Sequence, residues 1–430
     1  MVKKIGKFIV VGALTFLARL VLKKYKPKLI AVAGSVGKTS TKDAIHTVMS
    51  AALRVRKSQK SYNSEFGVPL TILGLETAWR NPLGWLLNIW QGFELLVFRE
   101  AYPKYIILET GADRPGDIEV LTKWLRFDAA VLTRFGETPV HIEFFKGREE
   151  LIEEDARVID ALKKGGVLVL NHDDPDTRAL RALAKSKTYT FGFSEDATVI
   201  ASNVQVIYEH GRPIGVTCKI RMGGNTMPLR IMGVVGKAQI YACLPALLIG
   251  QEFGVNMVSG MGALERHETP PGRLRLIEGL KGATIIDDTY NASPVAAEEA
   301  LSALLEIETK GRKIAILADM LELGKNSEEE HKRIGKLAGE VADVVITVGI
   351  RARRIAEGAQ IGGLTEKNIF QFDGAREAGK FLEQLIGEGD IILIKGSQGM
   401  RMERVVEEIM LHPEDKERLL VRQDKKWQKL

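Results

Sequence analysis

From Leu29 onward, apolar positions come in short runs separated by longer stretches of helical periodicity. LIAVAG, YIILE, AAVLT and GVLVL read as buried parallel strands, because a strand covered on both faces shows a continuous apolar run rather than alternation. Helices fill the intervals. Between Ala201 and Ile231 polar and apolar residues alternate around Gly-rich turns, which predicts antiparallel hairpins attached to the parallel sheet. After PPGRLR, residues 270–275, a second alternation begins with ATIID, KIAILA, DVVITV and DIILIK as strands, a second doubly wound unit. The expected division is an apolar and basic helix over 1–28, a central domain over 29–270, a C-terminal domain over 271–412 and a charged tail over 413–430, a surface helix or a loose end.

Two segments depart from this rhythm. The N-terminus, MVKKIGKFIVVGALTFLARLVLKKYKPK, has a basic start and an apolar middle. Its uninterrupted apolar run, residues 8–18, would rise only about 16 Å as a helix, roughly half the hydrocarbon thickness of a bilayer. Lys4, Thr15, Arg19, Lys23 and Lys26 fall near one helical face, a pattern that suits a helix lying in the membrane interface better than one that spans. A helix packed on the following domain is the alternative. The second segment, NPLGWLLNIWQGFELLVFRE at 81–100, carries a thin polar stripe of Asn88, Gln91 and Glu94 on a very apolar helix. It reads either as a buried helix between the sheet and the second domain or, paired with the N-terminal helix, as an apolar platform. On the platform reading, residues 8–22 and 85–98 are the expected peripheral membrane contact.

Composition narrows the class. At 430 residues the chain exceeds one ordinary core, and 45% apolar with 27% charged residues is globular. Two cysteines make neither a disulfide framework nor a four-cysteine zinc site, which suits a reducing compartment, and the expected location is cytoplasmic, at the inner face of the cell membrane on the platform reading. A formal charge of +6 fits anionic nucleotides or an anionic surface; no nucleic-acid-binding motif is present. Nothing in the sequence sets an oligomeric state.

The chemistry starts at GSVGKTS, 34–40, between a strand and a helix. There Gly34, Ser35 and Gly37 would bring backbone N–H groups to phosphate oxygens, Lys38 would reach the outer phosphates, and Thr39, followed by Ser40, would hold Mg²⁺. The first glycine of the longer phosphate-loop pattern is replaced by Val32, and a fortuitous glycine turn is the alternative reading of the motif taken alone. The motif makes the central domain a P-loop NTPase-like parallel sheet of α/β class, with a Rossmann-like C-terminal domain after it. Glu109 ends a strand, where such sheets collect ligand-binding residues. His141 follows another strand and is either a metal ligand or a structural histidine. DDTYNASP, 287–294, and LIKGSQGMRME, 393–403, offer Asp288, Asn291 and Lys395 at strand ends, read alternatively as a helix cap and a surface-turn lysine.

Taken together, GSVGKTSTK, YNSEFGVPLTIL, ETGADRPGDI, HIEFF, VLNHDDP, PPGRLR, IDDTYNASP, LADMLELG with His331, and KGSQ resemble the Mur ligase family over nearly the whole chain after Leu29, most closely its D-alanyl-D-alanine-adding branch. The resemblance implies an ATP- and Mg²⁺-dependent carboxylate–amine ligase acting through an acyl phosphate, with a muramoyl-peptide precursor and an amino acid or dipeptide as partners. It implies nucleotide contacts from Lys38 and Thr39, second-metal ligands at Glu109 and His141, a phosphate contact from Arg273, a ribose contact from Asp288, and Asn291 and Lys395 on the second domain's face of a closing cleft. Amidation of a lipid-linked precursor with a glutaminase partner, and a nucleotide-binding scaffold without ligase activity, are the alternatives.

Departures from the family pattern carry their own expectations. The short helix stands where the family has a domain for the UDP-sugar, so the donor is expected to be held by other surfaces or delivered by a partner, a lipid-linked or membrane-proximal donor meeting residues 8–22 and 85–98. Asp155 stands where the family has a carbamylated lysine, so a native carboxylate, reaching Mg²⁺ through a water, is expected in its place with no need for bicarbonate; a surface-helix acid is the alternative. Gln239 is the polar side chain left in the stretch that holds adenine. Gln398 stands where arginine is frequent after KGS, which leaves the incoming amine open.

Overall fold

The computed structural model describes residues 2–58, 65–79, 81–98, 101–424 and 427, except the side chains of 2–8. Tyr62, Asn63 and Ser64 of the YNSEFGVPLTIL stretch, the side chains of Lys4 and Phe8, and the last residues of the charged tail lie outside these. The chain folds as two compact units: residues 1–135, 149–200 and 242–264 in one, 136–148, 201–241 and 265–430 in the other.

In the first unit, β1 (Lys28–Ala33), β2 (Val55–Lys57), β3 (Tyr105–Glu109), β4 (Phe127–Leu132), β5 (Leu162–Asn171) and β6 (Lys187–Gly192) pair in parallel in the order β2-β3-β1-β4-β5-β6. The four apolar runs read from sequence are β1, β3, β4 and β5. Five of the six residues of β1 are buried, as continuous apolar runs require. Neighbouring β3 and β4 on either side, β1 ends at the point where strand order reverses, so its following loop, Glu109 and Thr133 gather at the carboxyl ends of adjacent strands. β2 and β6 escaped the sequence reading because VRK and KTYTFG carry no apolar run. Helices α1 (Val2–Tyr25), α2 (Lys38–Ser50), α3 (Gly67–Leu73), α4 (Pro82–Val97), α5 (Asp117–Thr122) and α6 (Arg148–Asp160) complete the part used below.

Both departing segments are helices, and they pack together. α1 buries Leu14, Leu17, Ala18 and Val21 against α3 and α4, the packed alternative for the N-terminus. Among the described residues no helix is long and apolar enough to cross a membrane. α4 departs from the buried-helix reading: it buries only Asn88, Gly92 and Leu95, while most of its large apolar side chains face solvent. Asn88 can face inward because its amide donates to Glu76 O at 2.9 Å. Gly92 leaves room for Leu17 and Leu73 to approach the helix.

In the second unit, β7 (Val199–Glu209) contributes residues from 201 onward, and β8 (Arg212–Met222) and β9 (Asn225–Met232) form an antiparallel hairpin, as the alternation predicts. β10 (Arg275–Glu278), β11 (Thr284–Asp288), β12 (Lys313–Ala318), β13 (Val344–Val348), β14 (Ile369–Phe372) and β15 (Ile391–Lys395) form a sheet ordered β10-β11-β15-β12-β13-β14, parallel except for β10. Ile285, Ile316, Ile346 and Ile394 supply its core. The helices Ser327–Val341 and Arg353–Ile361 touch backbone to backbone where Gly335 meets Ile355 O. The start of the charged tail is docked rather than loose. Leu420 is buried, and Arg422 donates to Glu403 Oε2 at 2.8 Å and to Thr289 O at 2.6 Å.

Candidate functional site

The loop after β1 turns on two left-handed glycines, Gly34 (φ 118°) and Gly37 (φ 86°). A Cβ at Gly34 would collide with Thr133 Oγ1, so only glycine fits there. Ser35 N and Val36 N donate to Arg134 O at 2.8 and 3.2 Å, which fixes the loop against the end of β4. α2 then starts at Lys38, aiming its N-terminal N–H groups at the space the loop encloses. Lys38 Nζ folds back onto Gly34 O, with Gly111 beside its aliphatic stem. Ser35 Oγ is buried and has no hydrogen-bond partner among the described residues.

Thr39 and Glu109, which the sequence reading assigns to the nucleotide's Mg²⁺ and to a second metal with His141, lie against each other. Thr39 Oγ1 donates to Glu109 Oε1 at 3.0 Å, and both side chains are buried. The other carboxylate oxygen faces Lys42 Nζ at 3.5 Å and has no hydrogen-bond partner among the described residues. Lys42 is wholly buried, donates to Ser58 O at 3.1 Å and lies 3.6 Å from Asp43. The sequence reading missed Lys42. The signal was its place four residues after Lys38, which puts both ammonium groups on one face of α2. A hydroxyl and a half-satisfied carboxylate at a helix N-terminus are oxygen donors of the kind a hard divalent cation takes, and the orphan hydroxyl of Ser35 would suit a phosphate oxygen. The residues therefore fit Mg²⁺ and a polyphosphate.

Asp155, on α6, is fully buried under this loop. It accepts from Ala112 N at 3.2 Å and from the Gly34 backbone. Burial pushes its carboxyl up to about 6 against the pull of the Lys38 ammonium and these hydrogen bonds. Its oxygens thus bond the backbone of the loops carrying Lys38 and Gly111.

The remaining expected residues belong to the second unit. Lys395 Nζ donates to Asp288 Oδ2 at 2.5 Å and to Asn291 O at 3.0 Å, and all of Lys395 but a sliver is buried, so it is no surface-turn lysine. Asp288 Oδ1 accepts from Leu274 N, and Asn291 Oδ1 accepts from Gln398 N. Asp287 beside it is buried and pushed up to about 6 by desolvation, although Thr289 and Gly272 donate to it. The Arg273 guanidinium stacks 4.1 Å over the Tyr290 ring. Gln239, the remaining candidate for adenine, is engaged at both ends of its amide: Nε2 donates to Arg273 O at 2.7 Å and Oε1 accepts from Thr269.

His141 adopts a left-handed conformation, and its Nδ1 lies 2.6 Å from Glu322 Oε2, a partner the sequence reading did not name. His331 orders the stretch leading to Glu322. Its Nε2 accepts from Met320 N at 2.9 Å and its Nδ1 faces Ser327 O, a neutral tautomer favoured by burial, which lowers its proton affinity. Glu109 belongs to the first unit and His141 to the second, and among the described residues no three His, Cys, Asp or Glu side chains are gathered to hold a metal.

Residues 90–250 match the Mur ligase middle domain, and residues 272–398 match the Mur ligase glutamate ligase domain. The chain is 30% identical to the UDP-N-acetylmuramoyl-tripeptide–D-alanyl-D-alanine ligase of Bacillus subtilis over 93% of its own length and 80% of the relative's. It is 29% identical to the ligase of the same name from Mycobacterium leprae, covering 86% of this chain and 71% of that one. Its fold matches the crystal structure of the MurF ligase from Thermotoga maritima in complex with ADP with a TM-score of 0.76, at 28% identity over 93% of this chain and 83% of that one.

Proposed function

The chain belongs to the Mur ligase family, and from that premise we propose that it is an ATP-dependent amide-forming ligase that joins D-alanyl-D-alanine to a muramoyl tripeptide. The observation that carries this reading is the cluster of Thr39, Glu109 and Lys42 at the start of α2, beneath a glycine loop built for phosphate. Its relatives are named for this reaction, and one was crystallised with ADP.

In this reading the γ-phosphoryl group of ATP passes to the donor carboxylate, the amine of D-alanyl-D-alanine attacks the acyl phosphate, and inorganic phosphate leaves. Bound Mg²⁺, held by Thr39 and Glu109, would neutralise charge on the phosphates. Lys38 leaves Gly34 O for a phosphate oxygen, which removes a bond the loop makes to its own backbone. Lys42 faces the free carboxylate oxygen of Glu109 and orients it from below. Asp155 holds the loops carrying Lys38 and Gly111 at a fixed separation, so the phosphate site is formed before nucleotide arrives. In the C-terminal domain, taken as 271–412, Lys395 fixes Asp288 and Asn291 for the nucleoside, and Arg273 is the phosphate contact. His141, 2.6 Å from Glu322 Oε2, supplies a further ligand. With Gln239 engaged, adenine is read by other groups.

Phosphate release should be measured with ATP and UDP-linked or lipid-linked muramoyl tripeptide, each with D-alanyl-D-alanine, single amino acids, ammonia or no amine. The reading expects release that needs both donor and D-alanyl-D-alanine, with a product heavier by the dipeptide. Release with ammonia alone, or release indifferent to every acceptor, would overturn it.

A further inference from the structure

One surface of the first unit serves neither the sheet nor the phosphate site. Leu83, Leu86, Leu87, Trp90, Phe93 and Val97 of α4 are each 49–75% exposed. They recur at three- and four-residue spacing and so share one face of the helix. Phe16 of α1 is 62% exposed beside them, and the two helices enclose an open apolar groove of about 500 Å³. A helix of a water-soluble domain buries such a face. α4 instead buries the side bearing Asn88 and Gly92. The arrangement is rigid, because Lys24 Nζ donates to Leu95 O, Leu96 O and Phe98 O and thereby caps α4, while Tyr25 adds a bond to Leu95 O.

Charge identifies the occupant. The first 28 residues hold eight Lys or Arg and no Asp or Glu, and Arg19, Lys23 and Lys26 are exposed. Trp90 donates its indole N–H to the Glu94 carboxylate at 2.9 Å, which holds the polar edge of the ring at headgroup level while its apolar face meets the acyl boundary. Exposed aromatic and aliphatic side chains flanked by one-signed basic charge match the headgroup–acyl boundary of an anionic bilayer. A second copy of the chain on the same face would set one cationic α1 against another. We propose that α1 and α4 form a docking surface for an anionic phospholipid bilayer, with the exposed face of α4 seated at the acyl boundary and the basic residues of α1 toward lipid phosphates. The four side chains that α1 buries in the unit keep it on the protein, so docking is peripheral. This inference does not depend on the ligase reading.

The full chain should be floated with vesicles of phosphatidylcholine alone or of phosphatidylcholine and phosphatidylglycerol in equal parts, at low and high salt. The proposal expects association with the anionic vesicles, weakened by salt, with a blue shift of tryptophan emission. Leu86→Ser/Trp90→Ser/Phe93→Ser should lower the bound fraction by about tenfold or more. Arg19→Glu/Lys23→Glu, which leaves the apolar face intact, should weaken binding to anionic vesicles and leave any binding to neutral ones unchanged. Circular dichroism and phosphate release with soluble substrates should stay at parental levels in both. The proposal is overturned if the parent stays in the aqueous fraction with anionic vesicles, or if the triple variant binds them as the parent does. It is also overturned if sedimentation shows a dimer that the triple variant dissolves while vesicles bind neither protein.

Discussion

Replacing Asp155 with asparagine separates two effects that the structure superimposes. The wild-type carboxyl titrates near 6 in the fold and, when the chain unfolds, near the ordinary 3.8. Between these values the folded state holds a proton that the unfolded chain has released, so stability falls as pH rises and the loss is complete above about 6. Held ionised at neutral pH, the buried carboxylate costs roughly 3 kcal/mol. Asparagine keeps an acceptor for Ala112 N at the same place and does not titrate. Relative to wild type, Asp155→Asn should therefore gain roughly 2 kcal/mol of stability between pH 4.5 and pH 7.5, or roughly 4–8 °C in unfolding temperature for a domain of this size. Thermal unfolding of both proteins at the two pH values gives the difference directly, and titrations shared by both cancel. A wild-type-to-variant difference that does not change with pH would refute the claim that Asp155 is desolvated beneath the loop. Activity tests the positioning role separately: kcat should fall with the variant, and bicarbonate should change neither protein.

Other perturbations have equally definite outcomes. Glu109→Gln removes the carboxylate that Thr39 and Lys42 share; phosphate release should drop by roughly a hundredfold or more, and calorimetry should show a lower unfolding temperature because Lys42 is left buried beside a weaker partner. Lys395→Met strands Asp288 in a buried site and should destabilise the C-terminal sheet by about 3–5 kcal/mol, whereas Lys395→Met/Asp288→Asn should recover part of that loss in the same urea titration. Gly335→Ala drives a methyl group into Ile355 O and should cost about 1–3 kcal/mol without changing the KM for ATP.

Much of this was legible because continuous apolar runs mark buried parallel strands, and glycine-rich turns after them mark where ligands collect. LIAVAG followed by GSVGKTS located the glycine loop at the end of β1, and YIILE located Glu109 at the end of β3. Pairings across the fold were not legible. Lys42 sits on α2 at a spacing that sequence shows, but its burial depends on Glu109 arriving 67 residues later on β3, as the numbering of the two residues gives. Glu322 meets His141 only through the fold of the second unit. For α4 the apolar pattern was plain and its direction was not: a wide apolar arc does not say which side faces the protein, and Asn88 turned inward because Glu76 O accepts its amide. Gln239 looked available in a linear motif and is engaged by Arg273 O and Thr269.

The central claim is that ATP is used to convert a carboxylate oxygen into part of a leaving group at the loop bearing Lys38. The most direct measurement supplies muramoyl tripeptide labelled with ¹⁸O in its terminal carboxylate, together with ATP and D-alanyl-D-alanine, and analyses the released phosphate by mass. One labelled oxygen should appear in inorganic phosphate for each amide formed, and Lys38→Ala should abolish its appearance. Unlabelled phosphate, or AMP and pyrophosphate in its place, would contradict the account.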